Sequence, residues 1–239
     1  MIPYIILNGV SSKNINGLLI QSLPPVSKPR VRTSIEEIDG RDGDIVTALG
    51  YAAYDKPISI GLKGDYDVDD VIKYFDTSGE ITFSNELDKY YYFAIYDTID
   101  FNKLIRYKTA NINIHVQPFK YLLDEPPIKW TNTGDKTIAE FSVRNTGNIY
   151  SRPTLKIIGS NTITVYLNNK QIFSIELSAA GETIIIDAAD MNATDGEGNY
   201  LNRQVTGAYN NFMLKVGLSD LRITGAVQSI ELVKYNRWI

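Results

Sequence analysis

Asn111-Ile-Asn-Ile-His-Val116 decides the fold class. Ile112, Ile114 and Val116 point to one side of an extended chain, and Asn111, Asn113 and His115 point to the other. That is the period of a strand with one face in a core and one in water. The same period recurs outward from it. Upstream, Ile58, Ile60 and Leu62 alternate with Ser59, Gly61 and Lys63. Downstream come Ala139, Phe141 and Val143; Ile163, Val165 and Leu167; Phe173, Ile175 and Leu177; and Phe212, Leu214 and Val216. Ile184-Ile-Ile186 is apolar on both faces, as in a strand buried inside a sandwich. The prediction is a mainly β protein, and its 16 tyrosines suit both strands and contact surfaces.

One segment departs from this pattern. Between Asp67 and Asp76, Val68, Val71, Ile72 and Phe75 stand at helical spacing. Asp67 is placed to cap the helix, Asp69 and Asp70 suit its positive end, and Gly79 lies just past the other end. This is the one α-helix the sequence predicts. The clearest boundary is Asp124-Glu-Pro-Pro127, since paired prolines lack sheet donors and favour an extended, exposed linker. Two domains are therefore expected: residues 1–124, with strands and the helix, and residues 125–239, a β-sandwich.

The bulk numbers agree with that division. A chain of 239 residues suits two modest domains. Its net charge is −4, and residues 1–120 hold 13 basic and 16 acidic side chains against 11 and 12 in the rest. Neither half is basic, which lowers the case for nucleic acid or an anionic membrane as a partner. Cysteine is absent, as expected of a chain that folds in a reducing compartment. The start, Met1-Ile-Pro-Tyr-Ile-Ile-Leu-Asn-Gly9, lacks the features of a signal peptide, and no apolar run is long enough to span a membrane. Synthesis in a cytoplasm as a soluble protein is the expectation.

No catalytic, cofactor or metal site is predicted. His115 is the only histidine, it falls on a polar strand face, and no serine–carboxylate arrangement is readable around it. Sites built from His and Cys are excluded by count. Asp65-Tyr-Asp-Val-Asp69 imitates the start of a calcium loop, but Asp70 stands where glycine is needed, and a helix start explains it better. Asp195-Gly-Glu-Gly-Asn199 reads as a flexible loop, with calcium as the alternative. No phosphate-cradling glycine motif is present. The serious rival to a purely structural role is carbohydrate binding by the second sandwich, with Trp130 and Trp238 as aromatic platforms.

Several segments together resemble a known family, the distal tail proteins of long-tailed, non-contractile bacteriophages (the siphovirus tail-component family). Tyr4-Ile-Ile-Leu-Asn-Gly9 resembles its opening strand and turn. Ile38-Asp-Gly-Arg-Asp-Gly43 is similar to its glycine–arginine–aspartate–glycine signature, followed by Gly50-Tyr51 and the strand Pro57 to Lys63. Val116-Gln-Pro-Phe-Lys-Tyr121 resembles the element closing its first domain. Asn145-Thr-Gly-Asn-Ile-Tyr-Ser-Arg-Pro153 resembles the opening of its second, and Asn236-Arg-Trp238 its aromatic, basic end. Ile239 departs from the pattern, standing where another aromatic is expected.

The resemblance implies a non-enzymatic virion protein of the tail tip or baseplate, made in the host cytoplasm. Its first domain would form a hexameric ring and its second would be a galectin-like β-sandwich pointing outward. The partners implied are further copies of itself, the tail tube protein, a tail-associated tip protein, and receptor-binding or baseplate proteins on the second domain. A protruding hairpin arm would embrace the neighbouring subunit, and residues 40–54 are its candidate, with Gly40, Arg41, Asp42, Gly43, Leu49, Tyr51 and Tyr54 as contact residues. Such a hairpin carries apolar side chains but too little core to stand alone. Pairing with another chain would cover its edges.

Overall fold

The computed structural model describes residues 2–134 and 136–239, so Met1 of the N-terminal stretch lies outside it. The chain divides into two compact units, one of Met1–Leu123 together with Ile239 and the other of Asp124–Trp238. Among the described residues the first unit runs β1 (Ile5–Leu7), β2 (Val10–Ser11), β3 (Leu18–Ser22), β4 (Val31–Glu37), β5 (Asp44–Tyr51) and β6 (Tyr54–Leu62). It continues through α1 (Val68–Phe75), β7 (Ser78–Phe83), β8 (Lys89–Ala94), α2 (Phe101–Tyr107) and β9 (Thr109–Leu122). Seven of these strands form one sheet in the order β2-β1-β7-β8-β9-β6-β3, antiparallel throughout.

The strand that decided the fold class holds this sheet together. Residues 109–116 of β9 pair with β6, and residues 115–122 pair with β8. Ile112, Ile114 and Val116 are buried in one core with Ile58, Ile60 and Leu62 of β6, as their alternation requires, and Ile112 stands opposite Ile58. Helix α1 begins where expected, with the Asp67 carboxylate accepting from the Asp69 N–H at 2.8 Å. It lays Val71, Tyr74 and Phe75 on the core, while Val68 and Ile72 are only partly covered. A second helix, α2, was not predicted. Its seven residues bury only Leu104, too little to print a stripe in the sequence. Asp100, whose carboxylate accepts from the Lys103 N–H at 2.9 Å, was the readable signal.

The second unit runs β10 (Ile128–Thr131), β11 (Ile138–Asn145), β12 (Thr154–Leu167), β13 (Lys170–Asp187), β14 (Asn192–Thr194), β15 (Val205–Gly207) and β16 (Gly217–Val233). Three of these strands are long and shared by two layers. β11 pairs with residues 217–224 of β16, and β10 with residues 229–232. β15 pairs with residues 173–175 of β13, and β14 with residues 185–187. β12 lies between β13 and β16, and its register breaks near Gly159 on both sides. Strands that change sheet at bends and bulges make the corners of a sandwich. Both halves of each long strand feed one core: Leu155 with Val165, Phe173 with Ile186, and Leu221 with Ile230.

Glycines mark the bends. Gly225 of β16 has φ +123°, and a Cβ there would lie 2.5 Å from the Thr162 carbonyl oxygen. Gly159 is equally confined, with the Ala226 carbonyl oxygen 2.6 Å from where a Cβ would stand.

Several sequence expectations are corrected here. The separate short strands at Phe173 to Leu177 and Ile184 to Ile186 are one strand of 18 residues. Ile184 and Ile186 are fully buried, but Ile185 is only partly so. Phe212 and Leu214 are buried without forming a strand: a 3-10 turn at Tyr209–Asn211 precedes them, and a single bridge joins Leu214 to Ser151. Val216 is 56% exposed. The linker reading of Asp124 to Pro127 also changes, because the Glu125 carboxylate is buried. It accepts from the Asn236 backbone N–H at 2.8 Å and from its side-chain amide at 2.5 Å, and pairs with Lys234 at 2.9 Å. Among the described residues, no helix is long and apolar enough to cross a membrane.

Candidate functional site

Strands β4 and β5 form a two-stranded sheet of their own, separate from both other sheets. Their register places Ile35 opposite Val46 and Thr33 opposite Ala48 on one face, with Glu37 opposite Asp44 toward the tip. A lone hairpin has no second layer to cover such a face, so its apolar side chains stay in water. Ile35 is 59% exposed, Val46 60%, Leu49 57% and Ile38 47%. Ile35 and Val46 stand side by side across the two strands, with Ile38 just beyond the end of β4 and Leu49 left unpaired by the shift of register.

The tip contains the glycine–arginine–aspartate–glycine signature. Gly40 and Gly43 have φ values of +81° and +78°, and open space surrounds both, so the backbone turn alone demands glycine there. The Arg41 N–H closes the turn onto the Ile38 carbonyl at 3.1 Å. Arg41 and Asp42 project beside Glu36, Glu37, Asp39 and Asp44, all exposed. Leu49 sits in a β-bulge, where the register shifts between Arg32 and Thr33.

At the base, the Ala52 N–H reaches the Arg30 carbonyl at 2.8 Å, and the Tyr51 ring meets Phe119 of β9 edge-on at 5.4 Å. Tyr54 is not in the hairpin. It begins β6 opposite Val116, packs on the first core, and donates its hydroxyl to the Ser27 carbonyl at 3.3 Å. Of the seven predicted contact residues, six therefore lie in the hairpin and Tyr54 holds its root. The first strand, β4, was missed because Val31-Arg-Thr-Ser-Ile-Glu-Glu37 has water on both sides and shows little alternation.

A buried lysine fixes the same root. Lys56 is 3% exposed and donates to the Pro25 carbonyl at 3.4 Å, with its ammonium 5.0 Å from the Tyr91 ring centre and 5.2 Å from that of Tyr54. Nearby, Lys120 pairs with Glu86 at 2.5 Å. Burial holds the Lys56 ammonium below its ordinary value of 10.5; Glu86 opposes that shift and Lys120 reinforces it. Between the lowered folded value and 10.5, the unfolded chain binds more protons than the folded one. This residue's contribution to stability therefore rises with pH across that window. Between urea melts at neutral pH and at about pH 10.5, the ordinary lysine value, wild-type protein should gain stability relative to Lys56→Met. An unchanged difference between the two proteins would show that Lys56 is not the desolvated charge described.

Other sequence candidates resolve individually. His115 faces Asp55 across the β6–β9 pairing, Nδ1 to Oδ1 at 2.8 Å, with Tyr96 beside the ring at 5.7 Å. That carboxylate, 60 residues away in the chain, could not be read from sequence, and no serine hydroxyl hydrogen-bonds the ring among the described residues. The Asp195 loop is a tight, internally bonded turn. Its carboxylate accepts from the backbone N–H groups of Glu197 and Asn199 and from the Asn199 amide, and the Asn199 side chain leads in lowering its pKa. Asp67 is committed to capping α1, and no group of three or more His, Cys, Asp or Glu side chains could hold a metal ion among the described residues. Trp130 packs against the sandwich core and Trp238 is half-buried, so neither is a fully open platform.

No protein-family model matches the chain, and no curated protein does. Among solved structures, the chain matches the crystal structure of the SPP1 Dit (gp 19.1) protein, described as a paradigm of the hub adsorption apparatus in phages that infect Gram-positive bacteria. The match has a TM-score of 0.70 at 17% identity and covers 100% of both chains. At that identity the likeness is one of architecture: over its whole length this chain has the mainly β fold of the SPP1 Dit protein, a siphophage distal tail hub protein.

Proposed function

We propose that this chain is a structural, non-enzymatic protein of a bacteriophage tail tip, acting as the hub between the tail tube and the adsorption apparatus. The observation that carries this reading is the full-length fold match to a phage hub protein in a chain that also presents an uncovered hairpin. In the proposed assembly the first unit forms a hexameric ring, each hairpin reaching a neighbouring copy head to tail, as a closed cyclic interface requires. The tail tube protein and a tail-associated tip protein would bind the ring. The second unit, a galectin-like sandwich, would dock receptor-binding or baseplate proteins. The protein would then reside in the virion after synthesis in the host cytoplasm.

Light scattering after size exclusion tests this directly. Six copies of a 26.8 kDa chain give a particle of about 160 kDa, visible as a ring by electron microscopy. A strict monomer at high concentration that binds glycans on an array would overturn the reading in favour of a carbohydrate-binding protein.

A further inference from the structure

We infer that the acceptor for the hairpin is helix α2 of a second copy of this chain, held by charge and by apolar contact together. This rests on the proposed role of the hairpin as an inter-subunit contact and adds the surface it meets. The end of the hairpin is acidic: Glu36, Glu37, Asp39, Asp42 and Asp44 surround the single Arg41. None of the five carboxylates enters an ion pair among the described residues. Five carboxylates against one guanidinium leave an excess of like charge on a narrow element, and a cationic surface relieves that repulsion.

Helix α2 and the residue that ends it offer such a surface. Lys103, Arg106 and Lys108 are exposed within six residues, and the stretch 101–108 contains no acidic side chain. The same stretch exposes Ile105 at 40% and Tyr107 at 60%. Leu104, on the opposite face, fixes the helix to the core, so the cationic face is held outward on a fixed support. Apolar Ile35, Ile38 and Val46 beside carboxylates thus find their counterpart in Ile105 and Tyr107 beside cations. Lys108 adopts the left-handed conformation that ends the helix, and its ammonium contacts the Tyr66 hydroxyl; Arg106 lies 5.4 Å from the Tyr107 ring centre, so Lys103 and the Arg106–Tyr107 pair make up the face offered to the hairpin.

The chain has no cysteine, so single introduced thiols report the contact without background. Full-length Ile38→Cys and Ile105→Cys proteins are mixed and oxidised. Heterodimers should form at least tenfold faster than homodimers of either variant. Adding Glu36→Lys and Asp39→Lys to the first protein should slow cross-linking about tenfold, and Lys103→Glu with Arg106→Glu in the second should restore it. Cross-linking at the homodimer rate, or reversal without restoration, overturns the α2 assignment. If hairpin excision still abolishes the oligomer in that case, the hairpin remains the assembly element and only its acceptor has been misplaced.

Discussion

Chains in which residues 33–49 are replaced by a short Gly-Ser turn should keep both units folded and form no ring. The fold should survive because the hairpin pairs with no other sheet. What remains, Arg30 with Ala52 and Tyr51 on Phe119, closes the base without it. Assembly should fail because the excision removes Ile35, Ile38, Val46 and Leu49 at once. Each is about half or more exposed, and covering such a side chain contributes roughly 1 kcal/mol. Four of them give about 4 kcal/mol per contact, close to a thousandfold in association. Every contact in a closed ring is the same contact, so the loss repeats around the circle. If the intact chain forms the proposed ring, sedimentation of the excised chain at the same concentration should show monomer; an unchanged oligomer would mean the hairpin is not the contact. The excision must follow the observed strands. Removing residues 41–54 would strip β5 from β4 and cut the first residue from β6.

The second large effect concerns the bend of β16. Gly225→Ala adds one methyl group, which meets the Thr162 carbonyl oxygen at 2.5 Å and the Ile163 Cα at 3.1 Å. Both are backbone atoms inside the sandwich and cannot swing away. The φ of +123° adds a conformational cost of its own, about 1–3 kcal/mol for a residue with a side chain. With the overpacking, the total is roughly 3–5 kcal/mol. Against a typical domain stability of about 5–15 kcal/mol, that strongly destabilises or unfolds the second unit. Gly181→Ala is the control. It too has a positive φ, but its new methyl group meets only the end of Gln228, at 3.8 Å, so its cost should stay near 1 kcal/mol. Trp130 packs on the sandwich core, so its fluorescence, measured in a Trp238→Phe background, reports the state of the second unit. Equal losses for the two variants would show that the close approach at Gly225 carries no energy.

The strands of both cores were legible because burial on one face imposes alternation. Ile112 and Ile114, Ile163 and Val165, and Phe173 and Ile175 are all buried as their spacing indicated. The length of the strands was not legible, and β13 shows why. Its buried positions are odd at Phe173, Ile175 and Leu177 but even at Ile184 and Ile186, with the change of frame falling at the bend. A bent strand therefore reads as two. The hairpin tip was legible through its glycines. Its first strand was not, since an element wet on both sides leaves no period. The pairing of His115 with Asp55 and the buried Lys56 depend on register between distant strands, which one sequence does not encode locally.

Glu125 stands at the beginning of the second unit and holds Lys234 and Asn236 near its end. The sandwich therefore starts and finishes at one place, clasped by a single carboxylate. A unit closed in this way brings the two ends of its chain together, so its core forms from one continuous stretch of sequence. Variation in one unit can thus proceed without disturbing the core of the other.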